Sequence, residues 1–201
     1  MPLFLLRNAC AGPPGTGYSL PTKTFMNTNV DEKLGFIFGR RSIRLYSPAA
    51  VSEAAVQKLL EAAMAAPSAA AKDPWRFVVV RNRQTLTEIA AALPNGQMIA
   101  GAALGIAVCG DLQAAHDQQL SYLLQDCSAA TENLLLCAHV LGLGACWLGV
   151  HPREQRVNSL KQILSLPPSW IPVACIAIGY PAETKEPRTR FNREYVRFES
   201  W

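Results

Sequence analysis

Three features of this 201-residue sequence predict an α+β domain that hides part of its surface in an oligomer. Helical periods alternate with short β-branched runs from Asp31 onward. One long helix is apolar around most of its circumference, so it has to be covered on more than one side. Half the residues are hydrophobic and only 17% are charged, against about 25% in an ordinary soluble domain. A membrane protein is excluded, because no apolar run reaches the roughly 18 residues a spanning helix needs. The richest stretch, 119–150, carries Gln125, Asp126, Glu132, Asn133 and His139. The net charge of +4 is mild and mostly scattered, which argues for neither a nucleic-acid partner nor a polybasic membrane tether.

Residues 1–30 form a Gly/Pro-rich extension with no period (Gly12, Pro13, Pro14, Gly15, Gly17, Pro21), ahead of one domain over 31–201. Met26 is a candidate natural start, and a leader without its own core is expected to lie across a partner subunit. Gly12 to Ser19 matches a P-loop in every position but one. Tyr18 stands where the phosphate-reaching lysine belongs, and Pro21 blocks the helix that must follow, so an ATP site is not expected.

The elements then follow in order. Asp31 to Phe38 predicts a short helix ending near Gly39. Ser52 caps a second, whose Val56, Leu59, Leu60, Ala63 and Met64 line one face. Trp75 to Arg81 is a β-branched strand bounded by Pro74 and Asn82. A helix over 84–92, a buried strand over Leu104–Cys109, and the long helix over 117–141 come next. Gly142 and Gly144 break that helix before a strand at Cys146–Val150. A helix over Arg153–Leu164, a strand over Pro172–Ile178 and a basic tail over 185–201 complete the chain. The six cysteines include no C-x-x-C pair, and five sit in apolar runs. They read as small buried hydrophobes of a reducing cytoplasm, with no metal site, and no secretory signal precedes them.

Four segments carry chemistry. In Arg40-Arg41-Ser42-Ile43-Arg44, an extended chain would project Arg40, Ser42 and Arg44 together and turn Ile43 to the core, offering forked donors to an anion. Taken alone, such a run is as a rule a solvated surface. Ala66 to Trp75 is rich in small residues that let a flat ligand approach the backbone, and alone it reads as a simple connector. In Gly142 to Gly149, Trp147 replaces the third glycine of a dinucleotide fingerprint and a strand follows, so this is no Rossmann loop. Gly149 instead admits a close ligand. Pro187-Arg188-Thr189-Arg190 places a second arginine pair on one face of an extended run.

Together, R-R-S-I-R, A-P-S-x-x-x-x-x-P-W-R-F-V-V-V, G-L-G-x-C-W-L-G and P-R-T-R resemble, in type and order, the FMN-dependent nitroreductase family, from about Asp31 to the end. The resemblance implies a small mixed sheet flanked by helices around a long central helix, in a homodimer with flavins at the interface. Arg40, Arg41, Ser42, Arg188 and Arg190 match the segments holding the FMN phosphate and ribityl chain, and Arg44 a position near the pyrimidine edge. Pro67, Ser68, Ala69 and Ala71 match the segment laid along the flavin from the partner chain. Cys146, Leu148 and Gly149 match the strand whose backbone nears one flavin face. Many relatives carry Asn where Ala71 stands and Gln where Asp73 stands, so Lys72 or backbone replaces the amide contact.

The implied activity is flavin-centred oxidoreduction with no protein nucleophile. NADH or NADPH visits as reductant, then a small-molecule electron acceptor (a nitroaromatic, quinone or similar) takes its place by ping-pong. Alternatives are a dehalogenating or flavin-fragmenting enzyme of the same fold, or a non-catalytic FMN-binding protein.

Overall fold

In a computed structural model, which describes residues 28–201, strands β1 (Trp75–Val80), β2 (Leu104–Asp111), β3 (Gly144–Gly149) and β4 (Trp170–Gly179) form one sheet. Its order is β1-β2-β4-β3. All three strand pairs are antiparallel. A parallel bridge between Ser42 and Ala145 adds a mixed edge beside β3. Residues 1–27 of the Gly/Pro-rich leader, with its near-P-loop, Met26 and Cys10, lie outside the described residues, while 28–30 already belong to the first helix. The unit that carries the features below is Leu34–Trp201.

Alternation along the strands sends side chains to two cores. On one face, Leu104, Ile106 and Val108 of β2 and Ala174, Ile176 and Ile178 of β4 meet two helices, α2 (Glu53–Met64) and α4 (Leu120–Val140). On the other, Ala107, Cys109, Cys175 and Ala177 meet α3 (Arg83–Ala92) and α5 (Glu154–Ile163). Residues 174–178 are wholly buried, so β4 is apolar continuously instead of alternately. Pro172 is tolerated in this central strand because the ladder shifts there: Cys109 faces Pro172 while Val108 faces Ala174, leaving Val173 unpaired with β2.

Caps explain the helix starts. Ser52 Oγ accepts the Ala55 N–H at 3.2 Å, and Asn82 Oδ1 accepts the Thr85 N–H at 3.0 Å. The first helix, α1 (Thr28–Gly39), ends one residue beyond the expected Phe38. The long helix begins at Leu120, not 117, because Asp117 and Gln118 take left-handed backbone (φ 50° and 52°) that no α-helix accommodates. It ends at Val140 and the chain turns off at Gly142 (φ 71°), where the N–H groups of Gly142 and Leu143 return to the carbonyls of His139 and Ala138 at 3.0 and 2.8 Å. Strand β3 consequently starts at Gly144, two residues before the expected Cys146, and β4 starts at Trp170. No helix among the described residues is long and apolar enough to cross a membrane.

Of the cysteines described, Cys109, Cys127, Cys146 and Cys175 are buried and Cys137 half-buried, all as free thiols. Burial pushes the thiols of Cys109, Cys127 and Cys175 up to about 12. They are packing residues.

Gly110 tests the spacing between sheet and long helix, since a Cβ there would lie 2.3 Å from Cγ of Leu123, itself fully buried. Gly110→Ala should cost about 1–3 kcal/mol in denaturant unfolding. Gly101→Ala, where a Cβ meets nothing within 4 Å, should stay within about 0.5 kcal/mol.

Candidate active site

The tail that leaves β4 doubles back along R-R-S-I-R. Tyr46 bridges Pro181, the Ala182 N–H reaches the Leu45 carbonyl at 2.9 Å, and the Arg188 N–H reaches the Phe38 carbonyl at 3.2 Å. Residues 38–47 and 180–188 thus run antiparallel, which is how Arg188 comes beside the chain that leads into R-R-S-I-R. Three side chains pin them. Lys185 Nζ donates to the Ser42 carbonyl at 2.9 Å, and the Arg41 guanidinium donates to the Glu186 carbonyl. The Glu183 carboxylate accepts the backbone N–H of Arg44 at 2.5 Å and of Leu45 at 3.3 Å, and pairs with Lys185 at 3.1 Å. The Arg44 N–H, first of all, then Lys185 and Leu45, hold the Glu183 carboxyl below its usual range against a smaller opposing effect of burial.

The same segment is fastened to the sheet from beneath. Ile43 N–H donates to the Ala145 carbonyl at 3.0 Å, and a Cβ at Gly144 would strike the Ile43 side chain at 2.6 Å. Ile43 is half-buried, turned inward as its spacing predicts. The Tyr46 hydroxyl donates to the Ile43 carbonyl at 2.6 Å, with the Ala177 carbonyl at 3.3 Å as a second acceptor. Burial above all raises this phenol's pKa, with Cys146 and Glu183 adding to the rise and Arg44 opposing it.

Two cavities result. One, of about 270 Å³, collects Arg40, Arg41, His139 and Lys185 around Glu183. A Cβ on Gly39 would lie 2.8 Å from His139 Nε2, so the chain enters this cavity in tight contact with α4. The other, of about 200 Å³, follows β3: Arg44 and Arg156 flank Asn95, Cys146, Leu148 and Gly149. Arg40, Ser42 and Arg44 therefore do not share one pocket, as simple alternation suggested. Arg40 instead pairs with Glu132 of α4 at 3.5 Å, while Arg44 reaches the second cavity. Arg188 and Arg190 are exposed. A Cβ at Gly149 would meet nothing within 4 Å, leaving room for a flat ligand against the strand. Burial pushes the Cys146 thiol up, outweighing Arg44, Lys185 and Arg40, which makes it a poor nucleophile.

Pro67, Ser68, Ala69 and Ala71 line neither cavity. They form a separate structure between α2 and β1, around a single 3-10 turn, Ala69–Ala71. Asp126 of α4 accepts the Ala69 N–H at 2.9 Å, while Ser68 Oγ donates to Asp73 Oδ1 at 2.5 Å. Ala70, Ala71 and Asp73 all have φ near 50°, a strained setting for residues with a Cβ. Arg156, Asn95, His139, Glu183 and Lys185 escape sequence reasoning. Asn95 reads only as part of a Leu-Pro-Asn-Gly turn, and Arg156 as one polar residue of an amphipathic helix.

The nitroreductase family model matches residues 37–95 and 90–180. A protein of Archaeoglobus fulgidus that bears the provisional name NADH dehydrogenase/NAD(P)H nitroreductase is 42% identical over 175 residues, covering 86% of this chain and 100% of that protein. An FMN-dependent nitroreductase of Clostridium difficile superposes with a TM-score of 0.77 at 28% identity, covering 84% of this chain and 99% of that one. A provisionally named nitroreductase of Desulfovibrio desulfuricans, crystallised in complex with FMN, gives a TM-score of 0.72 at 35% identity, covering 84% and 96%.

The Glu183 clasp is testable apart from any ligand. Glu183→Ala should lower amide-exchange protection at Arg44 and Leu45 by about tenfold. Because the folded pKa lies below the ordinary 4.5, wild-type protection should hold above that value and fade as pH falls through the lower folded one. Protection at Arg44 that is indifferent to both changes contradicts the clasp.

Proposed function

The chain belongs to the nitroreductase family, and on that premise we propose that it is an FMN-dependent oxidoreductase, drawing on NADH or NADPH to reduce a small acceptor such as a nitroaromatic or quinone. The observation that carries this reading is the cradle along β3: guanidinium groups at both cavities, and open space over Gly149 in the second. The donor set fits FMN. Arg40, Arg41 and Ser42, with Arg188 and Arg190 of the tail, would hold the phosphate and ribityl chain, whose oxygens match forked donors. The backbone of Cys146, Leu148 and Gly149 would lie against the ring. When bound, FMN supplies two-electron chemistry, accepting a hydride and passing the electrons on.

Arg44, lining the cavity along β3, would supply a positive charge to the bound ring, favouring its reduced form. Cys146, held as a buried thiol, supplies no nucleophile. One space over Gly149 serves reductant and acceptor in turn, because no dinucleotide fingerprint accompanies it; this underlies the ping-pong order.

The same reading makes the protein a homodimer, with Pro67, Ser68, Ala69 and Ala71 reaching the partner's flavin. It is supported by apolar side chains exposed on α4, among them Val140 at 66%, and by exposed Phe36, Ile37 and Phe38. It also divides the chain into a leader, 1–30, and an FMN-binding domain, 31–201.

Purified protein should be yellow, release FMN on denaturation and bleach with NADH or NADPH. Protein that stays colourless after reconstitution and desalting overturns the reading. Arg44→Ala should slow bleaching more than it weakens FMN retention, and Arg188→Ala should do the reverse, each by about tenfold, in stopped-flow traces of FMN-saturated variants. Double-reciprocal plots should be parallel; intersecting lines argue against the shared space. Light scattering at micromolar concentration should report a dimer.

A further inference from the structure

We infer that Arg156 makes this enzyme selective for electron acceptors that carry a negative charge, that is, small planar compounds bearing a carboxylate or sulfonate. The inference rests on the FMN oxidoreductase reading. Two guanidinium groups line the cavity along β3 and no carboxylate does. Neither Arg44 nor Arg156 forms an ion pair with a carboxylate among the described residues.

The two cations enter from opposite ends. Arg44 follows Ile43, whose N–H is tied to Ala145 at the start of β3, while Arg156 Nη1 donates to the Gly149 carbonyl at its end, at 2.9 Å. At about 3.3 Å per residue, those anchors are on the order of 13 Å apart, so the two side chains approach the cavity from opposite directions. On the proposed reading Arg44 serves the flavin ring. Arg156 then remains as a second charge beside the open space over Gly149, with only Nη1 engaged among the described residues.

Its setting strengthens it. Arg156 is half-buried, and the single bond to Gly149 holds the guanidinium at the lip without neutralising it. The acidic residue nearest in sequence, Glu154, shares a neighbouring groove with Arg156 but is absent from this cavity's lining, and the two form no ion pair. A residue needed only to hold the Gly149 carbonyl requires a donor, not a charge. An unpaired charge at the mouth of an acceptor site favours an anionic ligand and leaves neutral isosteres without that gain.

The test compares 4-nitrobenzoate with 4-nitrobenzamide, which share the nitro group and ring but differ in charge, at equal FMN occupancy. Wild type should favour the acid in kcat/KM. In Arg156→Gln, which retains a donor for Gly149, the acid-to-amide ratio should fall by about tenfold; Arg156→Lys should keep most of it. A second readout is independent of turnover: benzoate should perturb the flavin absorbance of wild type at lower concentration than benzamide does, and this preference should vanish in Arg156→Gln. Equal losses for acid and amide, or an unchanged ratio, overturn the inference. So does a defect confined to bleaching by NADH, which would assign Arg156 to the reductant. A wild-type protein that binds no FMN refutes the underlying reading instead, whereas one that binds and bleaches but ignores acceptor charge refutes this inference alone.

Discussion

Burial of β4 on both faces is the constraint from which the rest follows. Ala174 to Ile178 have no exposed surface, pressed between α2 and α4 on one side and α3 and α5 on the other. A strand so placed cannot slip: moving by one residue would exchange Ile176 and Ile178 for Cys175 and Ala177 against α4, leaving voids in one core and overfilling the other. Its fixed register fixes β3 beside it and delivers Gly179 against Tyr46, where a Cβ would lie 3.0 Å from the ring. The tail then leaves at a defined point and direction, and the cavities take their shape from that exit.

The site is accordingly made of poor structure-formers held by good ones. Residues 38–47 and 180–188 contain no helix or strand beyond the end of α1. Their order comes from the backbone bonds of the antiparallel run, from Tyr46 and Lys185 donating to carbonyls, and from Glu183 accepting two N–H groups. Concentrating Arg40, Arg41, Arg44 and Lys185 costs mutual repulsion that one clasping carboxylate and Glu132 only partly offset, so the region is poised for an anion. Segment 67–73 shows the same economy in another form, with three left-handed residues held by Asp126 and a Ser68–Asp73 pair.

Much of the fold was legible because its signals are local. The cap at Ser52, the break at Gly142 and the β-branched run after Pro74 each act within a few residues and appear where the spacing predicts; the cap at Asn82, read from the sequence only as a strand boundary, is equally local. Less visible were the limits imposed from outside an element. The left-handed pair at Asp117 and Gln118 shortens α4, and the pairing of Gly144 with Gly179 extends β3 backward. Of the site, the arginine-rich segments and Gly149 could be read from residue type. Arg156, Asn95 and Glu183 could not, since nothing near them in sequence distinguishes a cavity wall from ordinary surface.

By itself, then, the sequence determined the α+β class, the order of elements, the arginine segments and the resemblance to flavin-binding reductases, because periodicity, capping and guanidinium chemistry are properties of short stretches. Only the tertiary structure decided that Arg40 and Arg44 serve different cavities, that the tail lies antiparallel to R-R-S-I-R, and that Arg156 meets Gly149. Those facts depend on where β4 ends and which way the chain turns after Gly179, and that is fixed by packing between residues far apart in the chain, where local pattern carries no information.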